Sequence, residues 1–365
     1  MEPRQCVAAR SAAPASDPVA ADAVVIGAGP VGLFQVFELG LLDIRAHVID
    51  ALPHIGGQPA LLYPDKPIYD IPGVPVCTGQ GLADALMRQC APFAPAFHLG
   101  QTVTRLERQP DGRLLLETSL QTRILAKTVF IAAGVGAFEP RRLKLDGLQA
   151  FEGTQLFYQA SDAGSLADKH VLIVGDEDQA IECALSLSEN SADRPASATL
   201  MHRRDSFRAD AHRVALMRER CARGTLRFVA GQLSNVGHRE GRIEEAQIRL
   251  SDGSALALPM DTLLVLQGLS PRLGPVAGWG LDMERKQLVV DTERYATNAP
   301  GIFAVGDINS YPGKRKLLVC GFHECTLAAY AAAALLHPDR PVQLQYTTTS
   351  PQLHQLLGVS TAARP

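Results

Sequence analysis

Short apolar runs and stretches of helical period alternate along this chain from Ala21 onward. Ala23-Val24-Val25-Ile26 has the length and continuous apolar character of a buried strand, a glycine turn follows it, and Leu33, Phe37 and Leu41 recur at the four-residue spacing of one helix face. A second strand, Ala46-His47-Val48-Ile49-Asp50, ends in an acidic side chain. This opening predicts a βαβ unit. Next come a hairpin signal at Asp111-Gly112, the strand Thr128-Val129-Phe130-Ile131 and the turn Ala132-Ala133-Gly134. The same succession then repeats: a strand at His170–Val174, a hairpin signal at Asp252-Gly253, a strand at Thr262–Leu266 and the turn Gln267-Gly268. The strand-like Gly301–Val305, the turn Gly306-Asp307 and a long alanine-rich helix complete the chain. The pattern predicts an α/β protein of two nucleotide-binding domains, one of them discontinuous (21–152 and 285–365) and the other (153–284) inserted into it.

Composition narrows the function classes. The 365 residues, 46% hydrophobic and 20% charged, suffice for two packed cores. With 35 basic against 38 acidic residues, the net charge of -3 supplies no general drive toward nucleic acid or an anionic membrane, so no nucleic-acid or membrane partner is expected. Even the apolar stretch Ala328–Leu336 is shorter than the roughly 20 residues that span a bilayer. The seven cysteines are scattered, with neither a Cys-x-x-Cys pair nor metal-type spacing, and read as reduced packing residues of a cytoplasmic protein. Residues 1–20, rich in Ala, Pro and Ser, read as a disordered extension.

Chemistry begins at Gly27-Ala28-Gly29-Pro30-Val31-Gly32, which fits G-x-G-x-x-G between a strand and a helix. Gly27, Gly29 and Gly32 let backbone approach a pyrophosphate at the helix N-terminus, and Asp50 offers a carboxylate to a ribose hydroxyl. Downstream lie His54-Ile55-Gly56-Gly57-Gln58, Leu62-Tyr63-Pro64 and Tyr69–Gly73. Gln58 offers polar atoms and Tyr63 a flat ring; alone, this stretch also reads as a Pro/Gly-rich surface loop. In the second half, Met201-His202-Arg203-Arg204 follows a strand and precedes Phe207-Arg208. Arginines at a strand end suit a 2′-phosphate, and a solvated basic turn is the alternative.

With these motifs the sequence resembles, over nearly the whole chain from residue 21, the ferredoxin(flavodoxin)–NADP reductases of the thioredoxin-reductase-like class. The resemblance implies two Rossmann-like three-layer domains, the discontinuous one for FAD and the inserted one for NADPH. By that likeness, FAD is held by Gly27, Gly29, Gly32, Asp50, Gln58, Tyr63, Val103, Phe138, Asp307 and Thr348. Tyr63 stacks on the isoalloxazine, the Val103 backbone meets adenine, and Phe138 in the crossover Phe138-Glu139-Pro140-Arg141 touches the flavin. Asp307 bonds the ribityl chain, and a helix opening at Gly321-Phe322-His323-Glu324 turns its positive end to the flavin. The tail Tyr346-Thr347-Thr348-Thr349-Ser350 covers the flavin of a neighbouring subunit, which implies a homodimer; alone, it reads as a capping segment. Gly175, Arg203, Arg204 and Arg208 hold NADPH.

The activity implied is ferredoxin–NADP+ reductase: hydride from NADPH to FAD, then single electrons to ferredoxin or flavodoxin, with no catalytic acid or base. Thioredoxin reductase is disfavoured, because Tyr158-Gln159-Ala160-Ser161-Asp162 occupies the place of that enzyme's Cys-x-x-Cys. One departure stands out at Val174-Gly175-Asp176-Glu177-Asp178-Gln179-Ala180, where Glu177 replaces a glycine and three carboxylates crowd the expected phosphate site. These carboxylates are expected to cap the helix and to oppose NADPH. The second reading is therefore a non-enzymatic FAD-binding sensor or scaffold with a degenerate NADPH site.

Overall fold

The computed structural model describes residues 17–189, 194–342, 344 and 346–359. The chain divides into unit 1, residues 1–137 and 272–365, and unit 2, residues 138–271. Both divisions lie earlier in the chain than the expected 152/153 and 284/285.

Unit 1 opens with β1 (Val19–Ile26), α1 (Pro30–Leu41) and β2 (Ala46–Ile49). After α2 (Gly57–Leu62), a small hairpin of β3 (Pro67–Ile68) and β4 (Cys77–Thr78), and α3 (Gly79–Cys90), the chain adds β5 (Ala96–His98) and the meander β6 (Val103–Arg108), β7 (Leu114–Thr118) and β8 (Arg123–Ile131). Strand order is β5-β2-β1-β8-β7-β6. The first strand is longer than its apolar core suggests. Val19 and Ala20 pair with Ile124 and Leu125 of β8, so these two residues belong to the sheet and not to an extension. Most of that expected extension, residues 1–16, lies outside the described residues.

Through β9 (Ala137–Pro140) the chain enters unit 2: β10 (Leu156–Phe157), β11 (His170–Val174), α4 (Asp178–Leu187), β12 (Ser197–His202), α5 (Ala211–Ala222), β13 (Arg227–Arg239), β14 (Arg242–Leu250), β15 (Ala255–Pro259), β16 (Thr262–Val265) and β17 (Leu269–Arg272). Order in its main sheet is β10-β16-β11-β12-β13-β14-β15. Successive side chains of β11 serve opposite faces. Val171 and Ile173 pack with Ile181, Ala184 and Met217 of α4 and α5, while Leu172 and Val174 pack with Phe151, Val229 and Ile248. Burial on both faces explains why such strands read as unbroken apolar runs.

The return to unit 1 supplies β18 (Met283–Glu284), β19 (Gln287–Val289), β20 (Ile302–Ala304), β21 (Asn309–Ser310), α6 (Leu318–Leu336) and α7 (Pro351–Leu356). β20 joins the main sheet in parallel beside Val129–Ile131 of β8, the half of that strand that β7 leaves unpaired. At 19 residues, α6 is long and apolar enough to cross a membrane by length and composition, contrary to the sequence reading. Its Glu324, Cys325, Ala328, Ala329, Ala332 and Ala333 are buried in the unit 1 core, where the Cys325 carbonyl accepts from Gln35 of α1 and the Cys325 thiol donates to the Val31 carbonyl.

Candidate functional site

The turn between β1 and α1 is built on backbone with no room for side chains. Gly27 takes φ +115°, and a Cβ there would stand 2.4 Å from the Ala132 carbonyl oxygen; one on Gly32 would stand 1.9 Å from the Gly27 oxygen. Gly29 is the N-cap of α1, with no side-chain cap and Pro30 following it. The first N–H groups of the helix are therefore left for an outside acceptor. Asp50, immediately after β2, accepts from the N–H of Ala28 (2.5 Å) and of Leu52 (2.7 Å), which fixes its carboxylate beside the turn. Burial pushes the Asp50 carboxyl up, and the two N–H donors oppose that shift.

A second turn closes on the first. Gly57, which opens α2 at φ +58°, approaches so closely that a Cβ on it would lie 2.7 Å from the Gly29 Cα. A Cβ on Gly29 would meet only the Gly57 Cα, at 3.7 Å, so the space over Gly29 is a cradle that a single methyl group would begin to fill. Across α2 the Gln58 Nε2 donates to the Tyr63 hydroxyl at 2.9 Å, and the Lys66 ammonium stands 5.7 Å from the centre of the Tyr63 ring. Two residues read separately from the sequence thus form one hydrogen-bonded pair. Bare turns, an uncapped helix start and an aligned carboxylate make a donor set that fits an adenine dinucleotide such as FAD.

Asp307 sits in a single 3-10 turn, Gly306–Ile308, between β20 and β21. Burial pushes its carboxyl up, while the nearby Lys314 and Lys316 ammonium groups pull it down. The turn is held by Glu324, which is fully buried on α6. One Glu324 oxygen accepts from the Gly306 N–H (2.7 Å) and Asn309 Nδ2 (2.8 Å), the other from the Tyr311 hydroxyl (3.0 Å) and Lys314 Nζ (2.5 Å). Lys314 also donates to the Gly306 carbonyl at 2.9 Å. Sequence reasoning placed Glu324 at a helix opening, but α6 begins at Leu318, which puts Glu324 in its second turn.

The remaining unit 1 positions are more scattered. Val103 is the buried first residue of β6, paired with Thr118. Thr348 lies exposed in a 3-10 turn, Thr347–Thr349, and Ser350 caps α7 by accepting from the Leu353 N–H. Phe138 is half-buried in β9, where unit 2 begins.

In unit 2, Gly175 immediately follows β11 and its N–H donates to the Met201 carbonyl at 3.1 Å. Arg203 and Arg204 follow β12 and are exposed; among the described residues neither pairs with a carboxylate. Arg208 is placed differently. Its Nε and Nη2 meet the two oxygens of Asp176 at 2.8 and 3.1 Å, and Nη2 also meets Glu177 at 2.9 Å. Backbone supports this contact, since the Arg208 N–H donates to the Asp176 carbonyl at 2.8 Å. The Arg208 bond holds the Asp176 carboxyl below its usual range.

Asp178 is likewise engaged, by the Asp210 N–H at 2.8 Å and by Arg213 at 3.2 Å. The expected capping does not occur: Glu177 is the N-cap of α4 but makes no side-chain cap bond. Its carboxylate instead reaches across Gly268, where a Cβ would lie 2.6 Å from one of its oxygens. The crowd of carboxylates is therefore paired with arginines 208 and 213, and the start of α4, with no side-chain cap, still fits a phosphorylated nucleotide.

Comparison with known proteins identifies the family and the fold. Residues 21–332 match the family model described as pyridine nucleotide-disulphide oxidoreductase. Proteins named ferredoxin--NADP reductase from Polaromonas naphthalenivorans and Albidiferax ferrireducens are each 56% identical, over 94% of this chain and 93% and 97% of their own lengths. Ferredoxin--NADP reductase 2 of Cupriavidus metallidurans is 53% identical over 95% of this chain and 94% of its own. In fold, the chain is similar to a bacillithiol disulfide reductase of Staphylococcus aureus (TM-score 0.57, 14% identity, 88% of this chain and all of that one) and to the thioredoxin reductase of T. acidophilum (TM-score 0.54, 19% identity, 87% and 99%). The chain belongs to the pyridine nucleotide-disulphide oxidoreductase family and, within it, to the ferredoxin–NADP reductases.

Proposed function

We propose that this protein is a flavoenzyme that moves electrons from NADPH through FAD to ferredoxin, with flavodoxin as a second acceptor. The observation that carries the reading is the bare-backbone cradle between Gly29 and Gly57, with Asp50 bonded to the neighbouring Ala28 N–H and the Gln58–Tyr63 pair on the helix that Gly57 opens. When bound, FAD supplies the store that takes a hydride and releases electrons singly. The chain's own residues bind and orient. Gly27, Gly29 and Gly32 admit the pyrophosphate, Asp50 takes a ribose hydroxyl, the Val103 backbone meets adenine, and Asp307 takes the ribityl chain. Gln58 fixes the Tyr63 hydroxyl so that the phenol ring presents a set face to the flavin, and Phe138 adds a second aromatic contact.

Unit 1 is assigned to FAD and unit 2 to NADPH, where Gly175 opens the phosphate turn and Arg203 and Arg204 read the 2′-phosphate. No side chain need act as acid or base. The non-enzymatic alternative rested on Glu177 in place of a glycine and on three carboxylates at the expected phosphate site, and the pairing of those carboxylates with Arg208 and Arg213 weakens the second of these grounds. A homodimer is supported by exposed apolar residues near the C-terminus, Leu344, Tyr346, Leu356, Leu357 and Val359, which leaves Thr348 to act on a neighbouring copy. Free thiols at Cys77, Cys90, Cys183, Cys221, Cys320 and Cys325 are in keeping with a cytoplasmic location. Anaerobic mixing of the purified protein with NADPH tests the reading. Loss of the flavin's visible absorbance is expected, and protein that is colourless, or yellow but inert to NADPH, would overturn it.

A further inference from the structure

Arg208 has two carboxylate partners of different character. Asp176 is nearly buried, with 11% of its side chain exposed, and grips the guanidinium at two points. Glu177 is 35% exposed and touches it once, at Nη2. Arg208 itself is 59% exposed and stands beside the uncapped start of α4 and the loop that carries Arg203 and Arg204. A charge-assisted pair that exposed exchanges readily for a better anion, whereas the two-point grip on a shielded carboxylate does not.

The geometry points to Glu177 as an internal competitor for the nucleotide: in the free protein its carboxylate occupies the edge of Arg208 that a phosphate group of NADPH takes on binding, while Asp176 keeps the arginine aligned throughout. This inference rests on the NADPH reading of unit 2. It differs from simple crowding. Direct repulsion between Glu177 and the nucleotide would act whether or not Arg208 is present, whereas competition requires Arg208. Glu177 thereby sets the affinity for the cofactor without touching it.

A double-mutant cycle read by equilibrium binding separates these cases. NADP+ is titrated calorimetrically into the FAD-loaded protein and its Glu177→Gln, Arg208→Gln and doubly substituted variants, with flavin content checked for each. Glu177→Gln should tighten NADP+ binding by about two- to fivefold, the range set by exposed ion pairs. Arg208→Gln should weaken it, and in that background Glu177→Gln should change nothing. If the gain is shared by NAD+, the exchange involves the pyrophosphate; if it is confined to NADP+, it involves the 2′-phosphate. Persistence of the full gain without Arg208, or no gain in the presence of Arg208, overturns the inference while leaving the function intact. Failure of every form, wild type included, to bind NADP+ while retaining FAD overturns both.

Discussion

Replacing Glu324 with alanine should damage the flavin site from a distance. The carboxylate is wholly buried and receives four hydrogen bonds, two of which fix the ends of the segment Gly306–Asn309 that carries Asp307. Its removal leaves the Lys314 ammonium, 9% exposed, with the Gly306 carbonyl as its hydrogen-bond acceptor and no carboxylate in a salt bridge with it among the described residues. Breaking a buried pair by deleting one member costs about 3–5 kcal/mol, because the other charge stays desolvated. For a unit of this size that corresponds to a fall of about 10 °C in melting temperature. Flavin retention should fall as well, since the segment that carries Asp307 loses two of its anchors and keeps those from Gln287. The combined change Glu324→Leu with Lys314→Met separates the two effects. It removes both charges, so stability should largely recover, whereas FAD affinity should stay below wild type because the Gly306 N–H has lost its acceptor, even though Asn309 and the Asp307 backbone keep their bonds to Ala304 and Gln287. Thermal melts and FAD dissociation constants measure both. A Glu324→Ala protein that melts with the wild type and keeps its FAD would refute the reasoning.

Further outcomes follow from individual positions. Gly29→Ala meets no protein atom closer than 3.7 Å and should leave the apoprotein folded by circular dichroism while sharply lowering FAD content. Arg203→Ala should narrow the NADPH/NADH preference in kcat/KM by roughly tenfold, the worth of one charge-assisted bond. Burial pushes the Glu38 carboxyl up to about 7 from its ordinary value of 4.5. A raised acid stabilises the fold fully below the unfolded value and loses that contribution as pH climbs through the folded one, so melting temperature should decline between about pH 5 and pH 8. Glu38→Gln should flatten the decline, which amounts to at most about 3 kcal/mol.

Legibility in the sequence followed the range of the interaction. The first βαβ unit, the hairpins about Asp111-Gly112 and Asp252-Gly253, and the position of Asp50 at a strand end are local patterns, and the structure has elements at each. The start of β1 at Val19 depends on pairing with Ile124, more than a hundred residues away, and no property of Val19 itself announces it. Likewise the bond between Arg208 and Asp176, 32 residues earlier, is invisible in the sequence, because only the fold brings together the loops that follow β11 and β12. Glu324 read as one letter of a motif, yet its role lies in Gly306, Asn309, Tyr311 and Lys314, which only the folded turn gathers around it. The acidic turn read as an obstruction because carboxylates are visible in sequence and their partners are not.

The central claim, electron transfer from NADPH through a flavin to an iron–sulfur acceptor, is tested most directly by following NADPH and ferredoxin together under anaerobic conditions with the purified FAD-loaded protein. The account predicts that ferredoxin becomes reduced in step with NADPH oxidation, and that removing FAD abolishes both. NADPH oxidised without reduction of ferredoxin or flavodoxin, or ferredoxin reduction that persists after FAD is removed, would contradict it.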